Sequence, residues 1–160
     1  MEHSSIIAID PGASGAFCVI HPSGHIGVQS MPRDEIGVVN HIRLLAQECQ
    51  IARTQPTFVL EQVQGYIGKS QTGSSMFTFG KGYGFLRGCI MATGNAIVDV
   101  TPQRWQGELR DGLTYPKADL EQKEWLDRNA RDLYPNLKFP KSAADAVLIA
   151  HWASLFLGLL

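Results

Sequence analysis

The stretch Ile6-Ile7-Ala8-Ile9-Asp10-Pro11-Gly12 decides the fold, because an apolar run ends there at a carboxylate and a turn. Two further apolar runs, residues 15–20 and 26–31, are separated by a segment of proline, serine, glycine and histidine. Short apolar runs bounded by such turns are typical of β-strands. The chain is therefore predicted to open with an antiparallel meander of three strands.

Helical and strand patterns alternate along the rest of the chain. Apolar residues from Val38 to Cys49 recur at helical spacing after Asp34 and Glu35, which predicts an amphipathic helix. The later elements are two strands, at residues 57–61 and 96–100, and four helices, at residues 74–93, after Pro102, after Pro116 and from near Ser142. This order predicts an α/β fold in which helices flank a five-stranded mixed sheet, in a single domain of residues 1–160.

The composition fits one compact domain. The 160 residues are 44% hydrophobic and 18% charged, which argues against a disordered chain. Cys18, Cys49 and Cys89 stand far apart in apolar stretches, so buried reduced thiols are expected rather than disulfides or a zinc site. The N-terminus lacks the pattern of a signal peptide, and the apolar C-terminal stretch is short for a membrane span. A cytoplasmic protein without membrane association is therefore expected.

The net charge of −1 does not by itself indicate a nucleic-acid-binding protein. The distribution of charge says more, since the segment from Gln62 to Val98 has no acidic residue but contains Lys69, Lys81 and Arg87. Such a basic segment can contact phosphates. The same residues can equally form an ordinary solvated surface, so both interpretations stay open.

Three carboxylates lie in apolar sequence, where an unpaired charge is costly. Asp10 and Glu61 each end an apolar strand, and Asp145 lies in an apolar helix. Each has a simpler explanation: a turn cap at Asp10, a strand end facing solvent at Glu61, and a helix cap at Asp145. If the three converge they repel one another, and Mg²⁺ or Mn²⁺ would relieve that repulsion. Sites of this kind, often with two ions, cleave phosphodiesters.

The same residues carry a resemblance to a known family. Ile9-Asp10-Pro11-Gly12, Leu60-Glu61-Gln62-Val63 and residues 144–150 resemble, in order, three signatures of the RuvC family of Holliday-junction resolvases, in the ribonuclease H-like superfamily. The resemblance implies a ribonuclease H-like fold and a homodimer that acts on branched DNA. It also implies a Mg²⁺- or Mn²⁺-dependent endonuclease that resolves four-way DNA junctions by paired nicks. Asp10, Glu61 and Asp145 would then be the catalytic ligands of two ions.

Two further stretches fit this resemblance. Residues 98–105, which end in Arg104 and Trp105, resemble a segment common in phage-type members, so a bacterial or phage-infected cell is the expected setting. Lys117 falls where the family keeps a basic residue near the scissile phosphate, so the resemblance implies a catalytic role in stabilising charge on that phosphate, although an ordinary solvated lysine explains it equally well. Arg104 and Lys117 join Lys69, Lys81 and Arg87 as predicted DNA-binding residues.

The chain departs from the family pattern at two places. The family usually has a fourth acidic or histidine ligand three residues before the last aspartate, where this chain has Ser142, which could hold only a metal-bound water. The family often has an aromatic wedge just after its second signature, where this chain has Gln64, with Tyr66 as the nearest base-stacking candidate. Two alternatives therefore stay open: a nuclease for other branched DNA or structured RNA, and a catalytically weak protein that binds branched DNA.

Gly80, Gly84 and Gly88 recur every four residues, so they form one bare ridge on the predicted helix. Such a ridge permits close approach of another backbone, either the sheet of the same chain or a second subunit. In the family that the chain resembles, the corresponding helix contributes to a two-fold dimer. The glycines match neither a P-loop nor a dinucleotide fingerprint, which argues against those nucleotide sites.

Overall fold

A computed structural model describes residues 4–62, 73–110 and 119–158. Within them, five strands form one mixed sheet in the order β3-β2-β1-β4-β5. The strands are β1 Ser4–Asp10, β2 Ala16–Ile20, β3 Ile26–Ser30, β4 Gln55–Glu61 and β5 Ala96–Val100. The first three strands are antiparallel, whereas β4 pairs parallel to β1 and β5 pairs parallel to β4. The predicted meander and mixed sheet are confirmed.

Helices cover both faces of this sheet. They are α1 Glu35–Ile51, α2 Gly73–Met91, α3 Pro102–Leu109, α4 Asp119–Leu133 and α5 Ala144–Phe156. Two of them begin as their sequences indicate: the Asp34 side chain accepts from the Gly37 amide at 2.6 Å, and Thr101 caps α3 just before Pro102. The last helix begins at Ala144 rather than near Ser142, because a short 3₁₀ turn, Lys141–Ala143, precedes it.

Strand β1 is buried on both faces, which explains its unbroken apolar run. One face of the sheet packs against α5, in a core that contains Ile6, Ala8 and Val59. The opposite face packs against α1 and α2, in a core that contains Ile7 and Leu60. The alternation of side chains therefore fixes which residues of β1 and β4 point toward α5.

Small side chains allow α5 to lie close to the sheet. Ala146, Ala150 and Ala153 are fully buried in the core between α5 and the sheet. The Trp152 indole of α5 donates to Glu108 of α3 at 2.6 Å, which ties the two helices together. These contacts fix the start of α5 near the end of β1, where a functional site can form.

The expectation of buried thiols holds for two of the three cysteines. Cys18 and Cys49 are buried, Cys89 is half-buried, and all three are free thiols. His151 shares a hydrogen bond with the Tyr134 hydroxyl at 2.9 Å within the α4–α5 packing. None of the described helices is long and apolar enough to cross a membrane.

Candidate active site

Asp10 and Glu61 end neighbouring strands at the same edge of the sheet. Strands β1 and β4 run parallel with Ile9 opposite Leu60, and each carboxylate is the next residue along its strand. Because side chains alternate, Asp10 follows Ile6 and Ala8 onto the face that α5 covers, and Glu61 follows Val59 onto that same face. The pairing register thus places the two carboxylates side by side.

The turn after Asp10 depends on two glycines. Gly12 has a φ of +125°, a conformation that residues with a side chain rarely adopt. A Cβ at Gly15 would lie 2.0 Å from the backbone oxygen of Asp10, so only glycine fits there. The Asp10-Pro11-Gly12 stretch therefore makes a tight turn that holds the carboxylate at the strand end.

Asp145 enters the site from the first turn of α5. It lines, together with Asp10, a cavity of about 350 Å³. The other lining residues are Ser14, Lys123, Lys141, Ser142 and Ala144. Asp10 and Asp145 thus share one cavity, and Glu61, which does not line it, is close enough for its charge to raise the pKa of Asp10.

Burial and mutual repulsion perturb these carboxylates. Burial first, and then the charges of Glu61 and Asp145, raise the pKa of Asp10 to about 8, against an opposing effect of Lys123. Burial raises the pKa of Glu61 to about 7, although a hydrogen bond from Trp105 counteracts part of this rise. The pKa of Asp145 is also raised by burial and opposed by Lys123. Each raised pKa means that the charged carboxylate is disfavoured relative to the protonated carboxyl group at this site.

These residues suit a hard divalent cation, because the donors are carboxylate oxygens whose mutual repulsion a cation would relieve. Among residues 4–62, 73–110 and 119–158, however, no three His, Cys, Asp or Glu side chains are already arranged to hold an ion. A cation held by the carboxylates would offset the mutual repulsion that raises the pKa of Asp10.

Trp105 holds one of the three carboxylates, a contact that sequence reasoning missed. Its indole is fully buried, and Nε1 donates to Glu61 Oε1 at 2.8 Å across 44 residues of sequence. The bond fixes the orientation of the carboxylate and favours its charged form. In the sequence, only the resemblance of residues 98–105 to a family segment pointed to Trp105. That resemblance does not predict which residue the tryptophan contacts.

Lys123 is the second residue that sequence reasoning missed. It lies on α4, lines the cavity and lowers the pKa of both Asp10 and Asp145. Lys117, the lysine that the sequence singled out, lies outside the described residues. Ser142 does lie at the cavity, as its spacing from Asp145 predicted.

The predicted DNA-binding residues lie in varied surroundings. Lys81 is well exposed and lies 3.8 Å from Glu35. The Arg87 guanidinium pairs with Asp99, which also accepts from the Tyr83 hydroxyl at 2.7 Å. This network joins α2 to β5. Arg87 therefore forms an ion pair within the protein, which the prediction of a DNA-binding role did not include.

Arg104 also has partners within the chain. Its guanidinium lies 5.3 Å from the centre of the Trp152 ring, and its Nε is 3.4 Å from Glu108. Its side chain is still 54% exposed, so it remains available to a phosphate. Tyr66 and Lys69 lie outside the described residues.

The glycine ridge of α2 is exposed, and Gly84 and Gly88 line a groove between α2 and α1. A Cβ at Gly80, Gly84 or Gly88 would meet no described atom within 4 Å. The prediction of packing against the chain's own sheet is therefore wrong for the part of the chain described. Phe77 and Met91, seven residues to either side of Gly84, are 75% and 63% exposed. The outer face of α2 is thus a bare ridge between two exposed apolar side chains.

The comparisons with known proteins identify the fold. No family model and no curated protein matches the sequence. Among solved structures, RuvC of Thermus thermophilus in complex with a Holliday junction is 15% identical, with a TM-score of 0.61 over 98% of this chain and 96% of that one. Another Thermus thermophilus RuvC structure is 16% identical, with a TM-score of 0.58 over 97% of both chains.

A third structural match comes from a eukaryote. The yeast mitochondrial Holliday junction resolvase Ydc2 is 12% identical, with a TM-score of 0.50 over 94% of this chain and 79% of that one. All three matches are similar to this chain in architecture rather than in sequence. The predicted ribonuclease H-like fold, as found in RuvC, is confirmed.

Replacing Trp105 by phenylalanine tests whether the indole positions Glu61. The variant keeps an aromatic ring in the core but loses the N–H that donates to Glu61. We expect Mg²⁺ affinity, measured by isothermal titration calorimetry, to fall about tenfold, as expected when an orienting partner of a metal ligand is lost. Trp125→Phe is the matched control. Equal Mg²⁺ affinity of Trp105→Phe and wild type, with both folded by circular dichroism, would rule out this role.

The raised pKa of Asp10 makes a prediction for the metal-free protein. Because folding raises this pKa from 3.8 to about 8, the protonated carboxyl favours the folded state. The corresponding stability is complete below pH 3.8 and is lost as pH rises to about 8. Asp10→Asn should therefore become increasingly stable relative to wild type between about pH 4 and pH 8. Urea denaturation in EDTA measures this difference.

The exposed Asp132 of α4 supplies the control for the pH experiment. Asp132→Asn removes one exposed carboxylate by the same substitution and is measured in parallel. If the difference between Asp10→Asn and wild type is independent of pH, burial of the Asp10 carboxylate does not raise its pKa.

Proposed function

We propose that the chain is a Mg²⁺- or Mn²⁺-dependent endonuclease that resolves four-way (Holliday) DNA junctions by paired nicks. The observation that carries this proposal is the convergence of Asp10, Glu61 and Asp145 at one edge of a ribonuclease H-like sheet. These three are the catalytic metal ligands of the proposal. Its setting is the cytoplasm of a bacterial or phage-infected cell.

The chain's own residues prepare the site for phosphodiester cleavage. Asp10 and Glu61 are held by paired strands, Asp145 by the start of α5, and Trp105 orients Glu61. A bound divalent cation would polarise the phosphate and make a water more acidic. Ser142, at the same cavity, is placed to hold a water rather than to bind a cation with a charged oxygen. The resemblance implies two ions at this site.

A branched DNA substrate is the best supported choice. One solved structure with this fold is RuvC bound to a Holliday junction, and another is a mitochondrial junction resolvase. We assign phosphate contacts to Lys69, Lys81, Arg87, Arg104 and Lys117, and base stacking to Tyr66. Binding through phosphates and shape makes affinity strongly dependent on salt.

The proposed active unit is a homodimer formed through α2. Its glycine ridge and the exposed Phe77 and Met91 leave a bare apolar helix face that a second copy would cover. A two-fold dimer carries two equivalent sites, which suits a substrate in which two strands must be cut. Arg87, held by Asp99, helps to fix this helix on β5.

A second candidate is a weakly catalytic protein that binds branched DNA. Ser142 and the lack of a ready-made ion site among the described residues favour it. It shares the fold and the DNA partner with the main proposal, but not the chemistry. A nuclease that prefers flaps, forks or structured RNA is the other alternative, and it differs only in substrate.

Cleavage assays test the main proposal. Wild type should nick a synthetic four-way junction in Mg²⁺ or Mn²⁺ at least tenfold faster than a flap, a linear duplex or an RNA–DNA hybrid. Asp10→Asn should lower that rate at least a thousandfold, because it removes a charged ligand at the reacting phosphate. Gel analysis of the four substrates measures both effects.

Asp34→Asn is the matched control, since Asp34 caps α1 away from the cavity. Nicks should appear in two symmetric strands of the same junction. Equal rates for wild type and Asp10→Asn would contradict the nuclease proposal and favour the DNA-binding candidate. Equal rates on all four substrates would contradict only the assigned substrate.

A further inference from the structure

Two histidines lie at the end of the sheet opposite the carboxylates. His21 and His25 flank the turn between β2 and β3, and the His21 amide donates to the His25 carbonyl at 2.9 Å. Ile20 pairs with Ile26 and both face the α5 side, so the two histidines that follow them in register face the α1 side. Their rings are stacked with centroids 5.8 Å apart. The hairpin therefore presents two imidazoles side by side.

A relay of hydrogen bonds fixes which ring nitrogen of His21 carries a proton. Ser5 Oγ lies 2.9 Å from His21 Nδ1 and 2.6 Å from Thr54 Oγ1. Thr54 Oγ1 in turn donates to the Cys49 carbonyl at 3.3 Å. Each hydroxyl has one hydrogen and a carbonyl only accepts, so Ser5 must donate to Thr54. The His21 Nδ1–H must then donate to Ser5, which leaves Nε2 with a free lone pair.

This form of His21 is the one that binds transition metals. Histidine ligands commonly donate their other ring N–H to a partner that fixes the tautomer and the ring orientation. Ser5 is fully buried, so it holds the ring from a rigid part of the sheet. Burial first, and then the neighbouring His25, lower the pKa of His21, against an opposing effect of Glu48. The uncharged ring is therefore favoured at neutral pH.

The surroundings of the two rings favour a cation. His21 and His25 line a cavity of about 230 Å³, which Glu48 of α1 also lines. No described lysine or arginine lines it. Two imidazoles bound to one tetrahedral Zn²⁺ have centroids roughly 5 Å apart, close to the separation of these rings. His25 is exposed, so an ion can enter from solvent.

His41 lines the same cavity but lies too far along the sheet to join the pair. Its ring packs edge-on against Phe17, with centroids 4.7 Å apart. Phe17 and His21 are separated by four residues of nearly extended chain, or roughly 13 Å. This agrees with the finding that no three such side chains among the described residues are arranged to hold an ion. Two histidines and water are therefore the expected ligands.

We propose that His21 and His25 form a second metal site, which takes one borderline transition-metal ion such as Zn²⁺ rather than Mg²⁺. Imidazole suits Zn²⁺, whereas Mg²⁺ prefers oxygen ligands. Glu48 supplies negative charge, and the ion clamps the edge strand β3 onto β2. Ser5 and Asp10 stand at opposite ends of β1, roughly 17 Å apart. The site is therefore separate from the carboxylates and does not rest on the proposed nuclease function.

Long-range ¹H–¹⁵N NMR of the histidine rings tests the relay and locates the ion. In wild type with EDTA at neutral pH, His21 should carry its proton on Nδ1 and none on Nε2. Zn²⁺ added in excess Mg²⁺ should shift the ring nitrogens of His21 and His25, because Mg²⁺ competes at the carboxylates but not at imidazole. Mg²⁺ alone should shift neither ring.

Isothermal titration calorimetry with Zn²⁺, also in excess Mg²⁺, measures the affinity. His25→Gln changes an exposed turn residue and should bind Zn²⁺ at least about tenfold more weakly, since even loss of an outer partner costs about 10–100-fold. Ser5→Ala removes such an outer partner and should weaken binding about tenfold. Gln29→Ala is the matched control, because Gln29 is exposed at the same cavity and offers no imidazole. It should equal wild type.

Two results would overturn the proposal. One is equal Zn²⁺ affinity of His25→Gln and wild type, and the other is a His21 ring with its proton on Nε2. If Ser5→Ala does not fold, the tautomer observed in wild type still decides whether the relay exists. Zn²⁺ bound at the histidines of a chain that cleaves no DNA would support this site and contradict only the nuclease proposal.

Discussion

The repulsion among three half-buried carboxylates is the constraint on which the rest of the site depends. The parallel register of β1 and β4 places Asp10 beside Glu61, and α5 adds Asp145. The pKa of Asp10 rises to about 8 as a result of burial and of its acidic neighbours. A fold that only needed stability would not gather these charges, and this supports the proposal of a function that a cation completes.

The surrounding structure withstands this repulsion through rigid packing. Fully buried alanines allow α5 to lie against the sheet, and the glycines of the Asp10 turn hold the strand end tightly. Trp105 restrains Glu61 by a hydrogen bond, while Lys123 offsets part of the negative charge. The two apolar cores thus stabilise the fold, whereas the carboxylates gathered at one edge of the sheet destabilise it. Such a local loss of stability is common at functional sites.

The sequence predicted the elements, the mixed sheet and the three acids because these depend on local patterns. Apolar periodicity locates β1 and α1, and a carboxylate in an apolar run stands out wherever it lies. The hydrogen bond of Trp105 with Glu61 and the electrostatic effect of Lys123 on Asp145 depend on how distant elements pack, so no local pattern reveals them. The glycine ridge of α2 was visible in sequence, but only the structure shows that it faces outward.

The central claim is that Asp10, Glu61 and Asp145 bind a divalent cation together. Anomalous X-ray diffraction from crystals soaked in Mn²⁺ tests it most directly, because Mn²⁺ is located independently of the protein atoms. The account predicts a Mn²⁺ peak contacted by carboxylate oxygens of all three residues, which is lost in Asp10→Asn. Mn²⁺ bound elsewhere on the protein, with none between these carboxylates, would contradict it.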